Sequence, residues 1–248
     1  MKTIGIFPAS GKLGGSTYRH LLELVPYDHV VLICRHPDKV PAHYTQGGVR
    51  VRQASYEDTP AELEAAFAGI DVLFLISFPS FVESYRVRVQ VPAVDAARRA
   101  GVQHLVYSSL AYGGGPDGHA SRAEVMRAHL VTEAHLRAAL ATGGDTLLLS
   151  GTRAWTLAET VDAVFNSQPR KEGEPPVRIR PVSVDEYARL PAVQAVYGAQ
   201  AGNGRDTRSA YELATGWATA WEAIREGEAA VVTPTLREVL GREPTPPF

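Results

Sequence analysis

A small-residue turn near the N-terminus has the residue types and spacing best suited to holding a ligand. It reads Pro8-Ala9-Ser10-Gly11-Lys12-Leu13-Gly14 and follows an apolar run that contains Ile4, Ile6 and Phe7. Apolar residues at helical spacing come after it. Glycines in such a strand–turn–helix unit let the backbone approach a pyrophosphate, and the free amides of the helix N-terminus favour an anion. The pattern predicts a dinucleotide-binding turn formed by the seven residues of this segment.

The turn departs from the G-x-x-G-x-x-G pattern at its first position, which is Pro8. Proline fixes φ and lacks an amide hydrogen, so this position cannot adopt a positive φ. Only Gly11 and Gly14 stand in register. A turn that binds no nucleotide is therefore the alternative interpretation.

The end of the second predicted strand indicates which dinucleotide is bound. NAD sites place Asp or Glu there, roughly 20 residues past the glycines, to hold the ribose 2′-hydroxyl. This chain has Cys34-Arg35-His36-Pro37 instead. A guanidinium can pair with a 2′-phosphate, so Arg35 predicts NADP(H) as the cofactor. The alternative is an ordinary exposed basic turn.

Two further strand ends carry small hydroxyl residues. Ser77, Phe78 and Pro79 follow the fourth predicted strand, and Ser108 ends the fifth. Ligands of open parallel sheets bind beyond these carboxyl ends. We expect these four residues to contact the ribose or the nicotinamide, with plain loop residues as the alternative.

Strand and helix patterns alternate through the first half of the chain, which predicts an α/β fold with a Rossmann-like, doubly wound parallel sheet. The predicted strands are residues 4–7, His29–Cys34, Val49–Gln53, Asp71–Ser77 and Gln103–Ser109. The predicted helices are Ala61–Phe67, Val82–Ala100 and Ser121–Ala141. Thr59-Pro60 predicts a cap, and Pro92 predicts a kink or a late helix start. Residues 1–150 are assigned to this domain.

Residues 151–248 are assigned to a small, mainly helical C-terminal lobe packed on the sheet domain. Helices are predicted at Trp155–Phe165, Val184–Val196 and Ala210–Gly227, and a strand at Val177–Val182. Asn166–Pro176 is predicted to be a linker and Gly198–Arg208 a loop. Trp217 and Trp221 are predicted to pack in a core, with a partner-binding face as the alternative.

Composition limits the classes of partner. The net charge of −2 argues against a nucleic-acid-binding surface, and a single cysteine, Cys34, excludes an internal disulfide. The chain has no readable signal peptide, no apolar run of membrane-spanning length and no metal-ligand spacing. We expect a cytoplasmic or nuclear protein without a membrane or metal partner.

The turn, Arg35 and the apolar run Asp71–Ser77 together resemble the NmrA-like family of atypical short-chain dehydrogenase/reductases, in particular its fungal-type members. Three later segments extend the resemblance: Thr146–Val164, Val182–Gln194 and Thr233–Pro244. The resemblance implies NADP(H) binding. It also implies one of two roles, a redox-sensing regulator that acts through a partner protein or a reductase of quinones or enones.

Two further departures from the family bear on function. Only Gly143-Gly144-Asp145 joins the helix ending near Ala141 to the strand expected at Thr146–Leu149, where the family has a further strand and a substrate-side loop. Either the chain is naturally shortened, or a segment is absent from this sequence.

The second departure concerns proton transfer. Short-chain reductases use Tyr-x-x-x-Lys, in which the lysine lowers the tyrosine pKa. None of the four lysines has a tyrosine four residues before it: Lys2, Lys12, Lys39 and Lys171. Tyr107, Tyr112 and His129 are the remaining candidates for an acid. This absence favours the regulator interpretation, leaves open a reductase of quinones or enones, and leaves as a third alternative a pseudo-enzyme scaffold that binds no nucleotide.

Overall fold

The structure is a computed structural model that describes residues 1–111, 120–139, 147–167, 175–199, 201 and 207–245. It divides into two compact units. The first contains Met1–Leu110 and Ala128–Gly144, and the second contains Ala111–Arg127 and Asp145–Phe248. The segment before Arg127 belongs to the second unit because its hydrogen bonds are made there: the Arg122 amide donates to Glu228 at 2.8 Å, and the Glu124 amide donates to Thr219 Oγ1 at 2.8 Å.

The first unit is built on a sheet of five parallel strands, as the sequence predicts. The strands are β1 Ile4–Phe7, β2 Val30–Cys34, β3 Arg50–Gln53, β4 Val72–Ile76 and β5 His104–Ser108. Their order in the sheet is β3-β2-β1-β4-β5. The chain therefore reverses its direction of travel across the sheet between β1 and β4, and this switch point is where open α/β sheets bind ligands. The Rossmann-like prediction is confirmed.

The α-helices in the described part of the first unit flank the sheet: α1 Lys12–Leu21, α2 Ala42–Gln46, α3 Pro60–Phe67, α4 Glu83–Arg99 and α5 Arg127–Ala139. Thr59 and Glu62 form a capping box before α3, with Pro60 in its first turn, as predicted. The late helix start suggested by Pro92 is wrong, because α4 begins at Glu83 and continues through the proline. Burial of α4 against the core outweighs the hydrogen bond that Pro92 removes.

Helix α5 is shorter than its prediction of Ser121–Ala141. A 3₁₀ turn at Glu124–Met126 precedes it, and the α-helix starts only at Arg127. Residues 140 and 141 lie outside the described part of the chain. The late start places His129 in the first turn of α5.

Two apolar layers hold the sheet, because successive strand residues point to opposite faces. One layer packs α3 and α4 against the face that carries Phe7, Ile33 and Leu75. The other packs α1 against the face that carries Ile6 and Leu32. Together the layers bury β2 and most of β1, and the first layer buries Leu73 and Leu75 of β4.

The second unit is helical in its described residues. Its helices are α6 Leu157–Val161, α7 Val184–Arg189, α8 Pro191–Gly198, α9 Ala210–Arg225 and α10 Thr235–Leu240. The helix predicted at Val184–Val196 is two helices, because Pro191 starts a new one after Leu190. The helix predicted at Trp155–Phe165 begins at Leu157 and ends in a π-helical stretch, Asp162–Asn166.

The two strands predicted for the second half of the chain are wrong. Residues 147–150 and 177–182 are in no strand, and Leu147 and Val177 are exposed. An apolar run becomes a strand only where another strand hydrogen-bonds to it, and no described ladder includes these residues. The predicted linker and the predicted loop fall largely outside the described residues, at 168–174 and at 200 and 202–206.

The indole pair of α9 is not core. Trp221 is 46% exposed, and Trp217 is half-buried. The buried stripe of this helix is made of Leu213 and smaller residues: Ala214, Ala218, Ala220 and Ala223. Small side chains allow close packing of α9, so the bulky indoles are left on its other sides.

Candidate functional site

The turn after β1 has two glycines that are required for different reasons. Gly11 has φ +108° and ψ 175°, a conformation that side chains rarely adopt, yet no atom lies within 4 Å of where its Cβ would be. A Cβ on Gly14 would lie 2.5 Å from the carbonyl oxygen of Pro8 and 2.7 Å from that of Ala9. Gly11 therefore sets the direction of the chain, and Gly14 lets α1 approach the turn.

The backbone of the turn is hydrogen-bonded to β2, whereas four of its residues are exposed to solvent. The Ala9 amide donates to the carbonyl of Ile33 in β2 at 2.7 Å, and the Phe7–Pro8 peptide is cis. Four successive residues of the turn are exposed, namely Ser10, Gly11, Lys12 and Leu13. The first turn of α1 contains no acidic residue and has no side-chain cap. The free amides at this helix end, together with the helix dipole, favour an anionic group.

Arg35 lies at the carboxyl end of β2, on one side of the turn. Its side chain is exposed, and its carbonyl oxygen accepts a hydrogen bond from Gln53 Nε2 at 3.4 Å. The preceding residue, Cys34, is 1% exposed, and burial raises the pKa of its thiol. The guanidinium is thus available to a ligand, whereas the thiol is not.

The segment after β4 lies on the other side of the turn. The Ser77 amide donates to Ser108 Oγ at 2.9 Å, which brings these two predicted residues together across β4 and β5. The Phe78 amide donates to Gln90 Oε1 at 2.7 Å, and Tyr56 Oη donates to the carbonyl of Ile76 at 2.7 Å. Pro79, which follows Phe78, is exposed.

Two of the three acid candidates meet in a buried polar cluster formed by Arg86, Tyr107 and His129. Arg86 Nη2 lies 2.6 Å from His129 Nε2, and Tyr107 Oη lies 3.0 Å from His129 Nδ1. A guanidinium can only donate, so Nε2 accepts and the neutral imidazole carries its proton on Nδ1. The ring therefore donates to Tyr107 Oη. Tyr112, the third candidate, lies outside the described residues.

Within the cluster, the His129 imidazole and the Tyr107 hydroxyl are both neutral at physiological pH. Burial, with a further contribution from the Arg86 charge, lowers the pKa of His129 to about 3. Burial raises the pKa of Tyr107 to about 12, although the Arg86 charge opposes that change. His129 is 2% exposed and cannot reach a substrate. The cluster therefore does not reproduce an activated Tyr-x-x-x-Lys site.

Sequence reasoning missed Arg86, Gln90 and Tyr56, which position this region. A signal for two of them was present in α4. Arg86 and Gln90 are four residues apart, in line with Ala93 and Ala97, and all four are buried. Polar residues on the apolar stripe of a helix indicate a buried hydrogen-bonded network.

The low pKa of His129 predicts a pH dependence of stability. An unfolded histidine protonates below pH 6.5, whereas the folded ring stays neutral to about pH 3. The contribution of the neutral His129 ring to the stability of the folded state is complete above pH 6.5 and is lost as the pH falls toward 3. Between pH 7.5 and 5.0 we expect the free energy of unfolding to fall by about 2 kcal/mol from this residue.

His129→Gln is the control for that measurement, because its amide can accept from Arg86 and donate to Tyr107 but does not titrate. Urea unfolding at the two pH values should show a smaller loss in the variant, by about 2 kcal/mol. Equal losses in the two proteins would mean that His129 is not buried as a neutral ring.

The family of the chain follows from comparison with known proteins. The model of the NmrA-like family matches residues 1–141, more than half of the chain and all of the sheet. The chain belongs to the NmrA-like family. The resemblance inferred from the turn, Arg35 and β4 is thereby confirmed.

Two curated proteins are similar to this NmrA-like chain. Quinone oxidoreductase 2 of Escherichia coli is 38% identical over 107 residues, which are 43% of this chain and 36% of that protein. The NmrA-like family domain-containing oxidoreductase flvB of Aspergillus flavus is 24% identical over 296 positions, covering 96% of this chain and 90% of the relative. That alignment is longer than the 248 residues here, so flvB has segments that this chain lacks.

Solved structures agree in fold. The NADP(H) complex of Citrobacter triphenylmethane reductase superposes with a TM-score of 0.69 at 22% identity, covering 98% of this chain and 96% of that one. The NADPH complex of the Escherichia coli NADPH-dependent quinone oxidoreductase QOR2 superposes with a TM-score of 0.68 at 23% identity, and it also covers 98% of this chain and 96% of that one. At these identities the likeness is one of fold.

Two properties of the described residues bear on membrane and metal sites. No helix among them is long and apolar enough to cross a bilayer. The same residues contain no group of three or more His, Cys, Asp or Glu side chains placed to hold a metal ion.

Proposed function

We propose that this NmrA-like protein is an NADPH-dependent reductase of acceptors that take a hydride without help from a protein acid, with quinones as the substrate class. The observation that carries the proposal is the turn after β1. Its Gly11 and Gly14 bring an open, uncapped helix N-terminus to the switch point of the sheet. That geometry suits the pyrophosphate of a dinucleotide.

The choice of NADP(H) rests on Arg35. The dinucleotide of a Rossmann sheet lies across the switch point, with its adenosine ribose near the end of β2. The exposed guanidinium at that end offers a charge-assisted contact to a 2′-phosphate, and the strand ends without an acid that would hold a free 2′-hydroxyl. The relatives solved with NADP(H) or NADPH support this choice.

A reductase is favoured over the redox-sensing regulator that the missing dyad first suggested. Quinone oxidoreductase 2 and flvB are both named as oxidoreductases, and the first is 38% identical over its matched residues. The absent dyad limits the kind of acceptor and does not exclude hydride transfer, because the cofactor supplies the difficult chemistry.

The roles of the chain's own residues follow from their placement. When bound, NADPH supplies the hydride. The turn from Pro8 to Gly14 holds the pyrophosphate, Arg35 pairs with the 2′-phosphate, and the segment from Ser77 to Pro79 orients the nicotinamide. Tyr107 and His129 hold their protons within the buried cluster, so the reduced acceptor takes its proton from solvent.

Arg35→Glu is expected to reverse the cofactor preference. The variant loses a charge-assisted hydrogen bond and adds repulsion toward the 2′-phosphate, which should weaken NADPH binding by about 100-fold. NADH lacks this phosphate and should be affected far less. Isothermal titration calorimetry with both cofactors measures the difference, and equal losses would show that Arg35 does not contact the phosphate.

The proposal is tested by titrating NADPH and NADP⁺ and then assaying NADPH consumption against a panel of quinones. Binding with turnover supports the reductase. Binding without turnover would restore the regulator interpretation, and a failure to bind would restore the non-binding scaffold.

A further inference from the structure

We propose that Gln90, Ser108 and Tyr56 are positioning residues for the nicotinamide half of the cofactor, because together they hold the segment that follows β4. This inference rests on the NADP(H) binding proposed above. It assigns roles to two residues, Gln90 and Tyr56, that lie outside the predicted site, and a supporting role to Ser108.

Three consecutive residues, the last of β4 and the first two of this segment, are each held by a side chain from a different part of the chain. Tyr56, in the loop after β3, donates its hydroxyl to the carbonyl of Ile76 at 2.7 Å. Ser108, at the end of β5, accepts from the Ser77 amide at 2.9 Å. Gln90, in α4, accepts from the Phe78 amide at 2.7 Å. The backbone at this point is therefore fixed by side chains where the sheet ladder ends.

The Gln90 amide is itself held in one orientation. It is fully buried, and its Nε2 donates to Thr132 Oγ1 at 2.9 Å; that hydroxyl donates to the Ala128 carbonyl at 2.8 Å. With both ends of the amide bonded, the Oε1 atom cannot follow a displaced loop without breaking a buried hydrogen bond. Helix α5 thus supports the position of Phe78 through Gln90.

Aromatic packing also holds Phe78 through its side chain. The Phe78 ring lies 5.6 Å from the ring of Tyr56 and 5.4 Å from the ring of Tyr85, measured between centroids. A loop amide exposed to water would sample several conformations, and a ligand would have to order it. Holding the segment beforehand lowers that cost of binding.

Sheet topology assigns this segment to the nicotinamide half. The pyrophosphate-binding turn follows β1, and Arg35 follows β2 on one side of it. The dinucleotide lies across the switch point, so its other half extends to the opposite side, where β4 ends. The Ser77 and Phe78 amides are bonded within the protein, so they fix the backbone of the segment rather than contact the cofactor.

Gln90→Met tests the assignment, because methionine keeps the length of the side chain and removes both hydrogen bonds. We expect the Kd of NADPH to rise about 10-fold, as for one lost buried hydrogen bond. Adenosine 2′,5′-bisphosphate carries the 2′-phosphate but no nicotinamide, and its Kd should stay within about twofold. Arg35→Glu should instead weaken both ligands.

Val94→Ala is the matched control. Val94 is buried in the same helix, and its truncation lowers stability through the core rather than through the loop. Both ligands should bind this variant as they bind the wild type. A selective loss of NADPH in Val94→Ala equal to that in Gln90→Met would overturn the positioning role.

Amide hydrogen exchange by NMR gives a readout that needs no cofactor. The Ser77 and Phe78 amides should both be protected in the wild-type protein. Gln90→Met should speed exchange at Phe78 about 10-fold or more and leave Ser77 protected, and Ser108→Ala should do the reverse. Fast exchange of both amides in the wild type would overturn the inference.

The calorimetric outcomes separate this inference from the proposed function. A wild-type protein that binds neither ligand overturns the proposed function. A wild-type protein that binds both, while Gln90→Met weakens them equally or not at all, overturns only the positioning role of Gln90.

Discussion

Gly14→Val is expected to weaken NADPH binding by about 100-fold or more. Even the Cβ alone would lie 2.5 Å and 2.7 Å from two backbone carbonyl oxygens of the turn, a separation that folded proteins do not tolerate. Backbone atoms cannot move aside as a side chain does, so the strain should reach about 3 kcal/mol, at the upper end for overpacking. Relief of the strain requires α1 to move away from the turn, which separates the helix amides from the pyrophosphate.

Gly15→Ala is the control for this substitution. It lies next in the same helix turn, but its Cβ would meet nothing closer than Arg19 Nη1 at 3.5 Å. Alanine there should leave NADPH affinity unchanged and raise helix stability by up to about 1 kcal/mol. Calorimetric titration, with circular dichroism to confirm folding, compares the two variants. Undiminished binding by a folded Gly14→Val protein would show that α1 does not need to approach the turn.

The second large effect that we expect is a difference in reduction rate between two classes of acceptor. A simple ketone should be reduced at least about 100-fold more slowly than a quinone, because ketone reduction needs a proton as the hydride arrives and general acid catalysis is worth about 10²–10⁴-fold. Tyr107, with its pKa at about 12, is hydrogen-bonded to His129, which is neutral and buried. A quinone delocalises the developing charge and needs this help less.

Initial rates of NADPH oxidation with matched quinone and ketone panels measure the ratio. Tyr107→Phe removes the hydroxyl and should change the quinone rate by no more than about threefold, since the group is assigned no proton transfer. Ketone turnover comparable to quinone turnover, and abolished in Tyr107→Phe, would show that Tyr107 is an acid after all.

The sheet of the first unit was predictable because its strands and several of its helices are specified locally. The run Asp71–Ser77 is continuously apolar, as a central parallel strand requires, and Thr59 and Pro60 mark the start of α3. The strands predicted at Thr146–Leu149 and Val177–Val182 failed because a strand also needs a partner, and partner edges are not encoded in the run itself.

The site was predictable only where it is formed by residues that are close together in the sequence. The turn, Arg35 and Ser77 follow from strand ends that the sequence locates. For the turn itself, the sequence locates the two glycines, but it does not show that Gly14 is crowded by two backbone carbonyl oxygens of the turn. The contacts of Gln90 and Arg86 join α4 to α5 and to the segment after β4. Such contacts depend on tertiary packing between residues 12 to 43 positions apart, and no local pattern specifies these partners.

Stopped-flow mixing of the preformed NADPH complex with a quinone tests the reductase proposal most directly. We expect the absorbance of the reduced nicotinamide to decay in a single turnover, more slowly when the transferred hydrogen is deuterium, and we expect no such decay in Gly14→Val. An NADPH complex that forms but stays unoxidised across the quinone panel would contradict it.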